Sequence, residues 1–521
     1  MKTMFKYNVM AAALLLSLNV ACEDPYGPEP PGTGEGGVQD AAATLVTIDE
    51  NGAYETFFKP QIGWTGDVMP FYDEASGTYH LFYLQDWRQS GPIHPIWQVE
   101  TKDFATYANN AAAVTNGVAG EQDETIGTGS VIKGNDGKYY CFYTGERSTN
   151  YYVDGTPRQA VLRASSSDLK TWHKDRDFKM ISASPDYNYR EFRDPCVIWD
   201  EDKQVYRMFV ASDYKGYTSK AIAHYTSADL TNWTLQAKPL YENYETFTEC
   251  PDVFKIGDYW YIVYSSIVDP RTVRYVYKSG SLDDDMPWSV PVALEGKMYY
   301  AAKTAPAQDG GRYLAGWCMT LEGTFDSSGW GGSMVVHKLS QKPGTAELQL
   351  TVPEAVSAKF STPVALEAVD QYGEASQNGS NYTLREGSRV RFARLHSPAK
   401  ISVKLHRNSD EFIAGFSFAA ADEADTQNKI IMLMEPSASK FDLVYDQQGA
   451  ANTQMNYLSL WALRDASEFD VEILIEKSVV VVYINDMLVM SNRIYQTDGN
   501  PWTIFCDKGE AVFSDLSIHT Y

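Results

Sequence analysis

The sequence predicts an all-β chain: a five-bladed β-propeller followed by a β-sandwich. Two observations carry that prediction. A two-strand design returns five times at a spacing of roughly 50–65 residues, the spacing at which propeller blades repeat. Beyond about Val352 it gives way to short alternating strands, and helical periodicity is absent throughout. A chain of 521 residues exceeds what one hydrophobic core usually supports, so two domains plus processing segments are expected.

The N-terminus reads as an export signal. Lys2 and Lys6 supply positive charge, and Val9–Val20 is an apolar run too short to span a bilayer comfortably. Ala21–Cys22 follows, a small residue and then a cysteine, which resembles a bacterial lipoprotein signal cleaved before an acylated Cys22. Asn19 departs from the Leu-like residue usual in that pattern, so plain signal cleavage stays open. Residues 1–21 are therefore read as the signal peptide, and 22–45 as a lipidated cysteine with a flexible tether rich in Pro, Gly and acid. The expected location is the outer membrane or cell surface, or else the periplasm.

Residues 46–350 hold the five hairpins. The second strand of each stands out by its aromatic and branched residues: Tyr79–Asp86, Tyr139–Glu146, Val205–Asp213, Tyr259–Ser266 and Arg312–Met319. A turn rich in Gly, Asp or Lys precedes each, and another apolar strand precedes the turn. Three units also carry a turn closed by an aromatic, at Lys102–Tyr107, Ser167–Trp172 and Ala228–Trp233, which is a structural device. Residues 351–521 read as the sandwich, with strands such as Arg389–Ala393, Ile401–Leu405, Val471–Glu476 and Val479–Ile484. The polar stretch Asp370–Ser380 reads as a loop. The five cysteines after Cys22 are scattered singly, without zinc spacing or a disulfide framework, and are read as buried small apolar residues.

The formal charge, 44 − 68 = −24, excludes nucleic acid and anionic membrane surfaces as partners and suits a neutral substrate. Nothing in the sequence calls for a metal or a cofactor, and the chain is expected to be a monomer. In a propeller the first strand of each blade lines the axis, so residues near its start converge. Taken in order, these are Gly66–Asp67, Gly129–Ser130, Arg193–Asp194, Glu249–Cys250 and Ala302–Lys303. Three of the five carry a carboxylate. Acids converging on one axis repel one another and harm stability unless they serve a reaction. Glycoside hydrolysis needs two such groups, one ionised and one protonated, and a third can stabilise positive charge on the sugar. Glu, with its longer reach, is expected to be the acid.

These motifs resemble glycoside hydrolase family 32, whose members act mainly on β-fructosides such as sucrose, levan and inulin. RDP at Arg193–Pro195 and EC at Glu249–Cys250 match two of its motifs, and GDVMPFY from Gly66 falls where its NDPNG motif belongs. TGSVI from Thr128, the stretch Tyr299–Trp317 and the segment from Leu474 are similar to further parts of it. The resemblance implies Asp67 as nucleophile, Asp194 as transition-state stabiliser and Glu249 as acid/base, with retention of anomeric configuration. It further implies Arg193 holding sugar hydroxyls and Ser130 lining the pocket floor. Trp64 and Trp97 are candidate walls, and Gln85 and Lys303 further candidate substrate contacts.

Two departures bear on the substrate. Pro-Asn-Gly after the nucleophile is replaced by Val68–Met69–Pro70, and the Gln usual in the next strand is Leu84, with Gln85 one place on. A one-residue step along a strand reverses the face a side chain points to. Two other readings stay open on the sequence: an inverting relative of family 43 acting on arabinosides or xylosides, and a surface lipoprotein that binds glycans without cleaving them.

Overall fold

The computed structural model describes residues 54–87, 94–147, 156–268, 271–321, 328–419, 429–446 and 452–521. The export segment, Cys22 and the tether lie outside them. Five antiparallel blades begin with the inner strands Trp64–Asp73, Thr125–Lys133, Tyr187–Asp200, Thr248–Ile256 and Tyr299–Pro306, the fifth and first sharing one sheet. Each inner strand pairs with the aromatic strand that follows it, and shorter outer strands complete the blade. The inner strands touch their neighbours in a closed ring, first to second and so on to fifth and first. One pair, Thr65 with Gly332, also joins the last blade's sheet to the first.

A repeated irregularity in these inner strands positions everything that follows. In blades one, three, four and five, two residues of the inner strand oppose one of its partner: Gly66–Asp67, Asp194–Pro195, Cys250–Pro251 and Ala301–Ala302. In blade two a single extra residue, Thr128, does the same. Such a bulge bends the strand and re-aims its side chains. Asp194, Cys250 and Ala301 take the left-handed backbone conformation, at φ 63°, 49° and 50°. Non-glycine residues adopt it only where the surroundings impose it. At Gly129, just past the bulge of blade two, a Cβ would meet the Phe142 carbonyl oxygen at 1.8 Å, so only glycine allows the strands to approach there.

The three outer turns repeat at the level of atoms. Asp103, Asp168 and Asp229 each accept two backbone N–H bonds, and Phe104, Leu169 and Leu230 share a φ near 61°. Glu354–Lys359, a six-residue helix that the strand-only reading did not anticipate, follows the last blade. The sandwich packs an eight-stranded sheet on a seven-stranded one. Its strands alternate buried and accessible residues, as in Lys429–Glu435 and Ala399–Arg407, and the inward rows form one core. Asp370–Ser380 is not a loop: Ala368–Tyr372 and Ala375–Asn378 are strands at the sheet edges, whose outward polar residues masked the pattern. All five cysteines after Cys22 are buried. Among the described residues, no helix is long and apolar enough to cross a membrane.

The sandwich is fastened to the propeller by Arg493. Its guanidinium, 0% exposed, donates to the carbonyls of Cys318 and Met319 and to the hydroxyls of Ser333 and Ser478. Those carbonyls belong to a blade-five strand, so losing the donors strands buried acceptors as well as a contact. Arg493→Met is expected to lower stability by about 2–4 kcal/mol. Chemical denaturation measures it, and an unchanged midpoint would refute the fastening role.

Candidate active site

The bulges gather the acids, though not at one register position. Glu249 is the last paired residue before its bulge, Asp194 the first residue inside, and Asp67 the second. The three carboxylates thus project from successive steps of neighbouring strands and meet different partners. Arg193 and Tyr300 share Glu249's position in the next blade on either side. Arg193 Nη2 donates to Glu249 Oε1 at 2.7 Å, and the Tyr300 hydroxyl donates to Oε2. Three equivalent positions on adjacent blades therefore form one hydrogen-bonded row across the axis.

Arg193 is also paired with Glu191, lies 3.8 Å from Asp194, and rests on the Phe247 ring at 4.2 Å. Asp194, 4% exposed, accepts the Cys250 N–H at 2.9 Å, while its own N–H donates to Thr144 Oγ1 at 2.8 Å. Burial drives its carboxyl upward, and Glu249 adds to that, whereas Arg193 and Lys303 oppose it. Asp67 is half-buried and accepts the Trp317 indole N–H at 3.1 Å. Loss of solvation, then the charges of Asp194 and Glu249, push its carboxyl up to about 7, against the pull of the Trp317 bond. The acid pushed to about 7 is Asp67, whose largest push is lost hydration. Glu249 is held by two donors.

Several candidates from the sequence lie elsewhere. Gln85 is buried, its amide donating to the Ile62 carbonyl and its oxygen accepting from Tyr83. The bulge opposite it falls in the inner strand, so its own face is not reversed. The Ser130 hydroxyl donates to the Pro195 carbonyl and accepts the Val197 N–H, bracing blade two on blade three. Trp64 is buried under Lys59 and Arg493. Trp97 stands on the third strand of its blade, two strands from the axis, against Trp87. Lys303 is buried and donates to the Gly129 carbonyl at 2.7 Å. Sequence reasoning missed Tyr300, although aligning the repeats on the bulge places it level with Glu249. It also missed an aromatic wall beside Asp67, in which Trp317 packs against Tyr300 and Trp330, and Trp330 stacks on His94 at 4.3 Å. Trp330 lies so close over Gly66 that a Cβ there would meet the indole at 2.1 Å. Among the described residues, no group of three or more His, Cys, Asp and Glu side chains is placed to hold a metal ion.

Carboxyl groups in contrasting environments, beside an arginine and an aromatic wall, can donate and accept protons about a sugar bond. That is the equipment of a glycoside hydrolase. The glycosyl hydrolases family 32 N-terminal domain matches residues 57–349, and a GH32, BT1760-like, C-terminal domain matches residues 344–518. Sucrose-6-phosphate hydrolase of Escherichia coli is 26% identical over 91% of this chain and 96% of its own length. A fructan 1-exohydrolase of Aegilops speltoides is 29% identical over 46% of this chain and 37% of its own length. Among solved structures, fructan 1-exohydrolase IIa from Cichorium intybus superposes with a TM-score of 0.70 at 16% identity, covering 91% of this chain and 97% of that one. Exo-inulinase from Aspergillus awamori does so at 0.68 and 16%, covering 90% and 98%. The chain belongs to glycosyl hydrolases family 32, as a propeller with a C-terminal sandwich, and its substrate is a carbohydrate.

Proposed function

We propose that this chain is an exported, retaining hydrolase of β-fructosides or of a related furanoside-containing glycan such as levan, inulin or fructo-oligosaccharides. The observation that carries the proposal is the meeting of Asp67, Asp194 and Glu249 on the axis, with Arg193 and Tyr300 donating to Glu249. Support for the sugar comes from the relatives, among them a sucrose-6-phosphate hydrolase and fructan exohydrolases.

In this reading Asp67 attacks the anomeric carbon as the bond to the leaving oxygen breaks, and Glu249 gives that oxygen its proton. Asp194, one step away on the axis, faces the positive charge that develops on the sugar. Water then attacks the covalent intermediate, Glu249 takes its proton, and Asp67 is released as a carboxylate. Arg193 aligns Glu249 and lies within reach of sugar hydroxyls, while Trp317 orients Asp67.

Asp67→Ala is expected to lower kcat at least about 10³-fold and Glu249→Gln about 10²–10⁴-fold, with folding retained. Reducing-sugar release from sucrose, inulin and levan measures both, and an Asp67→Ala variant as active as wild type would overturn the assignment. NMR of the first-formed product is expected to show retained configuration; inversion would remove Asp67 as nucleophile.

A nucleophile must be ionised, so kcat/KM should rise with pH through about 7 as Asp67 loses its proton. Trp317 donates to the ionised form and lowers that threshold. Trp317→Phe therefore moves the rising limb to higher pH, and a limb that stays put would show that Asp67 does not govern it.

The anchor belongs to the same proposal. A cysteine acylated at Cys22 would tie the monomeric enzyme to the outer membrane or cell surface by the 22–45 tether. Cys22→Ala is expected to move the protein from the membrane fraction to the soluble one on cell fractionation, and an unchanged distribution would refute lipidation.

A further inference from the structure

The bulges divide the axis into layers, and the layer directly beneath the acids contains a cation. The first paired residues after the bulges are Val68, Gly129, Cys196, Asp252 and Lys303. Lys303 is 2% exposed, and its ammonium donates to the Gly129 carbonyl at 2.7 Å, across the axis in the same layer. An ammonium has three donors, and one carbonyl neither satisfies them nor offsets the lost hydration of the charge. Its balance must come from anions nearby.

Two carboxylates stand near it, Asp252 in its own layer and Asp194 in the bulge layer above. Cys141, Cys196 and Cys250 all feel Lys303, yet burial pushes Cys141 and Cys196 up to about 12 and Cys250 well above its usual range, so these thiols stay neutral. Asp252 accepts from the Thr304 N–H and hydroxyl and faces Arg312. Asp194 remains, in the bulge layer just above, and the other charges around it are Arg193 and Glu249, with Asp67 beyond.

We propose that Lys303 is a positioning residue for the hydrolysis, a buried cation whose charge keeps Asp194 a carboxylate under the reacting sugar. Arg193 is divided among Glu191, Glu249 and Asp194, so it does not serve Asp194 alone. Lys303, held by the Gly129 carbonyl within its own layer, supplies charge that substrate binding above does not displace. A protonated Asp194 could not stabilise positive charge on the sugar, which makes the cation necessary at the pH of turnover.

The proposal rests on the hydrolase reading, and three variants of the full chain separate the two. Lys303→Gln removes the charge and keeps a donor for Gly129, Lys303→Met removes both, and Lys303→Arg keeps the charge. Removing a cation raises the pKa of a neighbouring carboxyl. In Lys303→Gln and Lys303→Met we expect kcat to fall about 10–100-fold with KM changed less than about twofold, on any substrate the wild type cleaves, and Lys303→Arg to restore kcat. A second readout needs no turnover. A carboxyl raised further in the folded state contributes stability at low pH that is lost as pH rises. The melting temperature of Lys303→Gln should accordingly fall relative to wild type as pH rises above the ordinary carboxylate range. A wild-type kcat in Lys303→Gln, an equal loss of kcat in Lys303→Arg, a pH-independent melting difference, or loss of the fold in all three variants overturns the proposal. Absence of wild-type turnover on fructosides would instead count against the substrate reading, leaving the melting comparison to judge Lys303.

Discussion

The site depends on one backbone constraint, an extra residue placed at the same depth in each inner strand. A regular strand would send successive side chains to opposite faces of its blade, into the packing between blades. With the bulge, Asp67 and Asp194 leave that alternation, and the residue before each bulge is turned into the row that joins Arg193, Glu249 and Tyr300. The left-handed conformations of Asp194, Cys250 and Ala301 are the local cost, of order 1–3 kcal/mol each. The closed ring of blades bears that cost, since no inner strand can straighten without moving both neighbours.

The electrostatics follow from the same geometry. Three carboxylates near one axis would not coexist ionised, and the structure separates their environments instead of neutralising all three. Glu249 has two side-chain donors, Asp194 has a backbone N–H and two cations in its field, and Asp67 has one indole N–H. The least compensated, Asp67, is the one pushed to about 7. Asp67 thus parts with its proton only near neutrality, a contrast of environments among neighbouring carboxyls of the kind that acid–base chemistry at a sugar bond requires.

Much of this was legible in the residues. Five aromatic strands at an even spacing reveal blades because each must bury both faces, and the change to alternating strands after Val352 reveals the sandwich. Asp194 and Glu249 stand out through their neighbours Arg193, Pro195 and Cys250. What strand reasoning could not supply is direction. Gln85, Ser130, Trp64 and Trp97 are of the right types and in the right blades, yet their polar atoms or rings are committed to Ile62, Pro195, Arg493 and Trp87. Tyr300 and Trp330 went unread for the complementary reason. In sequence they resemble ordinary strand aromatics, and only the bulge and the bare Cα of Gly66 bring them to the acids.

That geometry also bears on the altered segment after Asp67. Val68 and Met69 are both 0% exposed, and the Met69 sulfur accepts the Gly129 N–H at 3.1 Å. They pack within the propeller and offer nothing to a sugar, so this stretch holds blade one against blade two. The cutting group is kept while the chain beyond it turns inward. Trp330 covers Gly66 on the other side, so among the described residues an indole and the buried Val68 and Met69 flank Asp67 along its strand. Recognition near the nucleophile must then rest on ring faces and on the donors across the axis, Arg193 and Tyr300. A sugar held mainly by stacking on one side and by an arginine on the other is selected by its shape and by the hydroxyls facing Arg193. Among the described residues, the polar side chains that meet the acids come from the third and fifth blades, not from the strand that carries Asp67.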